Sequence, residues 1–306
     1  MIEVSGLTKT YGPKRAVDDI SFQAPPGSVT GFLGPNGAGK STTMRMIMGL
    51  DRPDSGTATI EGKPLADHVA PMRAAGALLE AKSVTPGRTA RNHLRVLAAS
   101  HGIGRRRVDE VIQMTGLDTV ANKRVKGFSL GMGQRLGIAT AMLGDPSTLI
   151  MDEPVNGLDP DGVLWVRNLA RQFAAEGRTV LLSSHLMSEV QLTADRVVVI
   201  GKGRILADAS IAEFTAQAAS GAVTVRTSDD EQFAEIVGAE GARATRTSEA
   251  LVVDGLEPPR IAHLAVGAGL DLHELVKTNA TLEEAYLSLT ADAVEYHATA
   301  QEGAAR

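Results

Sequence analysis

The stretch GFLGPNGAGKST, residues 31–42, decides how the rest of the chain is read. A strand-like run, SVTGFLG (28–34), leads into it, and a helical pattern, KSTTMRMIMGL (40–50), leads out. Gly34, Pro35, Asn36, Gly37, Ala38, Gly39, Lys40 and Ser41 satisfy the spacing G-x-x-x-x-G-K-[S/T], and Thr42 follows. Strand, glycine loop and helix are the context that gives this spacing its meaning. Glycines let successive N–H groups turn inward around phosphate oxygens, and the helix start adds the positive end of its dipole. Lys40 is expected to reach the outer phosphates of a nucleotide, and the Ser41 hydroxyl to ligate Mg2+.

A second apolar strand, STLIMDEP (147–154), ends in Asp152 and Glu153. Neighbouring residues on a strand point to opposite faces, so the two carboxylates are expected to divide the work. Asp152 would hold Mg2+ through its water shell. Glu153 would orient or deprotonate an attacking water, a role worth about 10²–10⁴-fold. A third strand, RTVLLSSH (178–185), ends at His185, on the sheet edge where α/β proteins bind ligands.

Composition removes several function classes. The chain has no cysteine, which excludes disulfides, thiol catalysis and cysteine zinc sites, and its seven histidines show no paired ligand spacing. A formal net charge of -5 argues against nucleic acid as the main partner. With 43% hydrophobic and 22% charged residues the chain reads as soluble and globular. The start, MIEVSGLTKTYG, lacks the form of a signal peptide, and no apolar run of about 18 residues occurs. The expected location is cytoplasmic.

The 306 residues suffice for one large domain and a smaller one. Strand patterns and turns dominate residues 1–80, and helical patterns dominate about 83–145. Strands and helices then alternate to about 210, which indicates a mainly parallel sheet with crossovers. A second unit is expected over 219–306, with strands in AVTVRTS, ALVVDG and LHELVKT, helices between them, and a frayed end over 291–306.

One stretch is not explained by any of this. FSLGMGQRLGIA (128–139) begins as a polar, glycine-bearing turn and becomes a helix. Ser129 suits a helix N-cap, and Gly131 permits close backbone approach. Taken with the motifs above, in their order along the chain, it resembles the nucleotide-binding subunit of an ATP-binding cassette (ABC) transporter over roughly residues 1–215. GPNGAGKST is similar to the family's Walker A loop, LIMDE to Walker B, NGLD with Asp159 to the D-loop, SSH to the switch histidine, and FSLGM to the signature. TYG puts Tyr11 where the family stacks a ring on adenine, in what reads as a loop.

The resemblance implies an α/β P-loop NTPase fold: a mainly parallel RecA-like core, an antiparallel β subdomain, a helical subdomain, and here a small C-terminal α+β domain. It implies ATP and Mg2+ as ligands, ATP hydrolysis coupled to transport, and a γ-phosphate contact for His185. It also implies two partners. One is a second copy, whose Walker A site is completed by Ser129, Gly131 and the helix start behind them. The other is a separate membrane permease, on which the subunit sits at the inner face of the membrane. Two positions depart from the family. Leu130 and Met132 stand where glycine and glutamine are usual in the signature, and Glu80 stands where the Q-loop glutamine is usual. A carboxylate there can approach a Mg2+-bound water but adds negative charge near ATP, so either stronger metal binding or weaker nucleotide binding is open. The segment from Glu80 to about His93 is the expected coupling surface. TLEEAYLSLT (281–290) resembles the tail of drug and antibiotic export ATPases of the daunorubicin- or bacitracin-resistance type. Two other readings stay open: a soluble ABC protein acting on ribosomes or DNA, and a small-molecule kinase. Neither the paired cassettes of the ribosomal type nor the long coiled-coil insertion of the DNA-repair type is present. A kinase gives no reason for FSLGM and NGLD.

Overall fold

A computed structural model describes residues 1–80, 84–218, 222–247, 250–277 and 281–290; the expected frayed end, 291–306, lies outside the described residues. The chain divides by its packing into two units, Met1–Ile211 with the described residues from Leu289 on, and Ala212–Ser288.

The first unit opens with β1 (Ile2–Tyr11), β2 (Lys14–Ala24), β3 (Ser28–Leu33), α1 (Lys40–Ile47) and β4 (Ser55–Ile60). A short helix α2 (Pro71–Ala74) and β5 (Ala75–Leu78) precede three helices: α3 (Ala90–Ser100), α4 (Arg105–Met114) and α5 (Leu130–Met142). Then come β6 (Thr148–Met151), α6 (Pro160–Ala175), β7 (Thr179–Ser183), α7 (Met187–Thr193), β8 (Arg196–Gly201) and β9 (Arg204–Ser210).

Two sheets result. β2-β1-β4 is antiparallel. The larger sheet has the order β5-β6-β7-β3-β8-β9, parallel except for the β8–β9 hairpin. In β3, β6, β7 and β8 nearly every residue is buried on both faces, as a covered parallel sheet requires. The two sheets share one core with α1. Phe32 on β3 and Phe22 on β2 stack at 5.2 Å between ring centroids and join them. The order matters for chemistry: β7 lies between β6 and β3, so its end is flanked by the two motif-bearing strand ends.

Two expectations change. Tyr11 is not in a loop; it closes β1, paired with Lys14. Asp152 and Glu153 are not strand residues, because β6 stops at Met151. Strand alternation therefore does not separate them. Glu153 takes a left-handed φ of 50°, and the two carboxylates find different partners, Ser41 and Ser183 for Asp152 and His185 for Glu153.

The second unit contains α8 (Ile211–Ala218) from its second residue on, β10 (Val223–Thr227), α9 (Asp230–Ala239), β11 (Arg243–Arg246), β12 (Leu251–Asp254), α10 (Pro258–Gly267), β13 (Leu272–Lys277) and most of α11 (Leu282–Thr290). The boundary expected at 218 falls at the far end of α8. The sheet order is β11-β12-β10-β13, all antiparallel, and α9 and α10 pack with it around Phe233 and Ile261.

Phe32 is fully buried and carries the stacked pair between the sheets. Phe32→Ala is expected to lower the stability of the first unit by about 3–5 kcal/mol. Trp165 on α6, covered by the Arg135 guanidinium at 4.8 Å, is the chain's one tryptophan, so its fluorescence during urea unfolding reads that unit alone.

Candidate active site

The phosphate loop leaves β3 and ends at α1. Gly39 stands at the N-cap with φ 110°, and a Cβ there would lie 2.5 Å from the Ala16 carbonyl oxygen. Only glycine fits, and that leaves the loop's N–H groups and the α1 start facing a cleft of about 630 Å³. Asn36, Gly37, Gly39, Lys40, Ser41 and Thr42 line it from one side, and Glu80, Asp152 and Glu153 from another.

The Lys40 ammonium folds back over its own loop, donating to the Gly34 carbonyl (2.6 Å) and the Pro35 carbonyl (3.2 Å). Burial pushes its pKa down, while the negative charges of Glu153 and Asp152 pull it back up. A partly desolvated cation on carbonyl oxygens is poised to move to a stronger anionic acceptor such as phosphate.

Asp152 is held from two sides. The Ser41 hydroxyl donates to its Oδ2 (2.5 Å) and the Ser183 hydroxyl to its Oδ1 (2.5 Å). Ser183 also accepts the Glu153 N–H (3.0 Å), so one hydroxyl at the end of β7 fixes both acidic residues. The Glu153 carboxylate turns to His185: its Oε2 lies 2.7 Å from the imidazole Nδ1 and accepts the His185 N–H at 3.3 Å. On the backbone side, the Gln134 amide donates to the Glu153 carbonyl (2.8 Å). Gln134 belongs to α5 and is buried, and its Oε1 has no partner.

Among the described residues no group of three or more His, Asp or Glu side chains is arranged to hold a metal alone. Ser41 and Asp152 supply two adjoining oxygens. That fits Mg2+, which keeps several waters and binds through one or two protein oxygens plus substrate phosphates.

The remaining expected residues lie outside the cleft lining. Ser129 caps α5, its hydroxyl accepting the Met132 N–H (3.2 Å). Gly131 approaches the Gly157 carbonyl of the same chain so closely that a Cβ would stand 2.9 Å from it. Asp159 caps α6 through the Gly162 N–H (3.0 Å). The Tyr11 hydroxyl donates to Asp51 (2.8 Å), whose carboxyl is held at about 2, chiefly by the Arg45 guanidinium. Leu130, half exposed, lines the cleft. Sequence reasoning missed Ser183, Gln134, Lys14, Ala16 and Asn156. Ser183 stood inside the quoted SSH and Gln134 inside the quoted helix, but no side-chain spacing marked either.

The chain matches the ABC transporter family over residues 17–156 and a domain of unknown function over 221–283. An uncharacterised ABC transporter ATP-binding protein of Bacillus subtilis (strain 168), YhcH, is 32% identical over 308 residues, covering 96% of this chain and 97% of that protein. The bacitracin transport ATP-binding protein BcrA of Bacillus licheniformis is 41% identical over 209 residues, 67% of this chain and 68% of that one. Among solved structures, the ATP-binding subunit of an ABC transporter superposes with a TM-score of 0.65 at 30% identity, over 71% of this chain and 92% of that one.

Ser183 is fully buried, so Ser183→Ala leaves the Glu153 N–H and the Asp152 Oδ1 without that partner. A loss of about 1–3 kcal/mol is expected in urea unfolding followed through Trp165. An unchanged midpoint would show that the hydroxyl bridge contributes nothing to the fold.

Proposed function

Because the chain belongs to the ATP-binding subunits of ABC transporters, we propose that this cleft is where it binds and hydrolyses Mg-bound ATP to drive export through a separate membrane subunit. The observation that carries the assignment is the 2.5 Å contact between Ser41 of the phosphate loop and Asp152 at the end of β6. It brings a phosphate cradle and an acidic strand end to one point, and this is the geometry that phosphoryl transfer with a divalent ion requires.

The loop N–H groups and the α1 start hold the phosphates. Lys40 exchanges its carbonyl partners for the β- and γ-phosphate oxygens. Ser41 and Asp152 would hold the ion, and Glu80, which lines the same cleft, would add its negative charge nearby. When bound, Mg2+ neutralises charge on the phosphates. Glu153 takes the proton of the attacking water, and His185 orients Glu153 and meets the γ-phosphate. Tyr11 stacks on adenine. Most of the rate enhancement is positioning and fixed charge.

The outward start of α5 is half of a second site. Ser129, Gly131 and that helix end contact the γ-phosphate bound by another copy, with Asp159 nearby, so two chains close around two ATP molecules. A helix N-terminus contributes about 0.3–1 kcal/mol to such an anion when exposed, and more when buried. Closure and reopening move the permease through the segment from Glu80 to His93. Among the described residues no helix is long and apolar enough to cross a membrane, so the subunit is read as cytoplasmic and peripheral, held at the membrane by its permease. The cargo is read as a drug, antibiotic or lipid-like compound, on the strength of the relative named for bacitracin transport.

The test uses Glu153→Gln. Hydrolysis should fall about 10²–10⁴-fold while ATP binding persists. Light scattering of this variant should show a monomer becoming a dimer on adding Mg-ATP. Adding Ser129→Arg should abolish the dimer and largely spare ATP binding. Equal loss of both would sink the two-chain site.

A further inference from the structure

Charge is distributed very unevenly along the chain. Residues 84–135 hold ten Lys and Arg against three Asp and Glu, a formal +7, while the remainder, with 21 against 33, carries −12. The excess is gathered in one place by backbone pairing. Thr89 and Arg124 form an antiparallel bridge, the Val125 N–H donates to the Arg88 carbonyl (2.9 Å), and the Lys126 N–H donates to the Pro86 carbonyl (2.9 Å). This sets Arg88, Lys123, Arg124 and Lys126, all exposed, on adjoining stretches.

Arg91 of this region is paired with Asp109, and Arg106 and Arg107 with Glu110, while Arg95 and Arg105 stand on α3 and α4, away from the paired stretches. Among the described residues Arg88, Lys123, Arg124 and Lys126 have no ion pair. Burial, and then the charge of Arg88, hold the nearby His93 imidazole below its usual range. Unpaired like charges repel and work against the compact state, so a patch of this kind points to an anionic partner.

Three anionic partners can be weighed on chemistry. Short cytoplasmic loops of membrane proteins carry an excess of Lys and Arg, and would be repelled. Single-stranded nucleic acid is gripped by basic grooves with aromatic stacking platforms, and Phe128 is the one Phe, Tyr or Trp in residues 84–135. An anionic bilayer surface needs only exposed cations, and all four of these are exposed. We propose that the patch of Arg88, Lys123, Arg124 and Lys126 binds the anionic headgroups of the membrane's inner leaflet. The inference rests on the reading of the chain as a subunit working beside a permease, and Arg88 of the patch lies within the segment assigned there to coupling.

Each Lys or Arg near such a surface contributes about fivefold to binding. The test is flotation of the purified full chain, without permease, on vesicles of phosphatidylcholine with and without phosphatidylglycerol. The chain should float with the anionic vesicles alone, and less as salt rises. Lys123→Glu/Arg124→Glu/Lys126→Glu should weaken flotation at least about 100-fold. Its basal ATPase rate and its unfolding midpoint by Trp165 fluorescence should match the parent's, which separates a lost surface from a lost fold. No flotation of the parent on phosphatidylglycerol, or equal flotation of the variant, overturns the proposal. So does a variant that loses binding only to permease-bearing membranes, or only to single-stranded RNA. The ATPase rate of the parent is read in the same samples: flotation without hydrolysis would remove the functional reading and leave the lipid patch standing.

Discussion

Everything in the first unit converges on one short chain of hydrogen bonds: Ser41 to Asp152, Ser183 to Asp152, and the Glu153 N–H to Ser183. Three parallel strands end there. β3 delivers the phosphate loop, β6 delivers the two carboxylates, and β7, lying between them, delivers the hydroxyl that reaches both. Asp152 is only half-buried, at the edge of the cleft, and these contacts fix its carboxylate at the end of an apolar strand. The strand order sets β7 beside β6, which lets Ser183 reach both acidic residues.

The same arrangement stores unfavourable energy. Glu153 holds a left-handed backbone that a non-glycine residue adopts at a cost of about 1–2 kcal/mol. Lys40 is partly desolvated, and its field partners are acids that do not touch it directly. Both costs are repaid in the folded chain by fixed contacts: carbonyls for Lys40, and His185, Ser183 and Gln134 for Glu153. Groups held this way need little reorganisation when charge arrives, which is how fixed dipoles and ions accelerate phosphoryl transfer.

Much of this was legible in sequence because the informative residues sit next to one another. GPNGAGKST is a local motif, and so is the apolar run before Asp152 and Glu153. Legibility failed where a residue acts through neighbours that are distant in sequence. Ser183 looked like one more small polar residue at a strand end; its importance comes from β7 lying between β6 and β3. The strand-alternation argument for Asp152 and Glu153 failed because β6 is only four residues long. The edge strand β11 was missed because RATR is exposed and shows no apolar alternation. The expected boundary at 218 was placed where the strand pattern of AVTVRTS begins; the packing divides the chain at the other end of α8, after Ile211, because that helix belongs with the second unit.

α5 connects the two halves of the chemistry. Its first residues carry Ser129 at the cap and press Gly131 against Gly157, in the loop that follows Glu153. One turn on, Gln134 is tied to the Glu153 backbone, with its own oxygen buried and unsatisfied. A shift of this helix therefore cannot leave Glu153 in place without breaking a buried hydrogen bond, at a cost of about 1–3 kcal/mol. In the proposed dimer, where Ser129 would meet the neighbour's ATP, the load on that serine would be applied to the helix that holds Glu153, the proposed water-activating residue. The two sites would then be coupled by rigid packing within each chain, with an energy comparable to the 1–3 kcal/mol usual for coupling between sites.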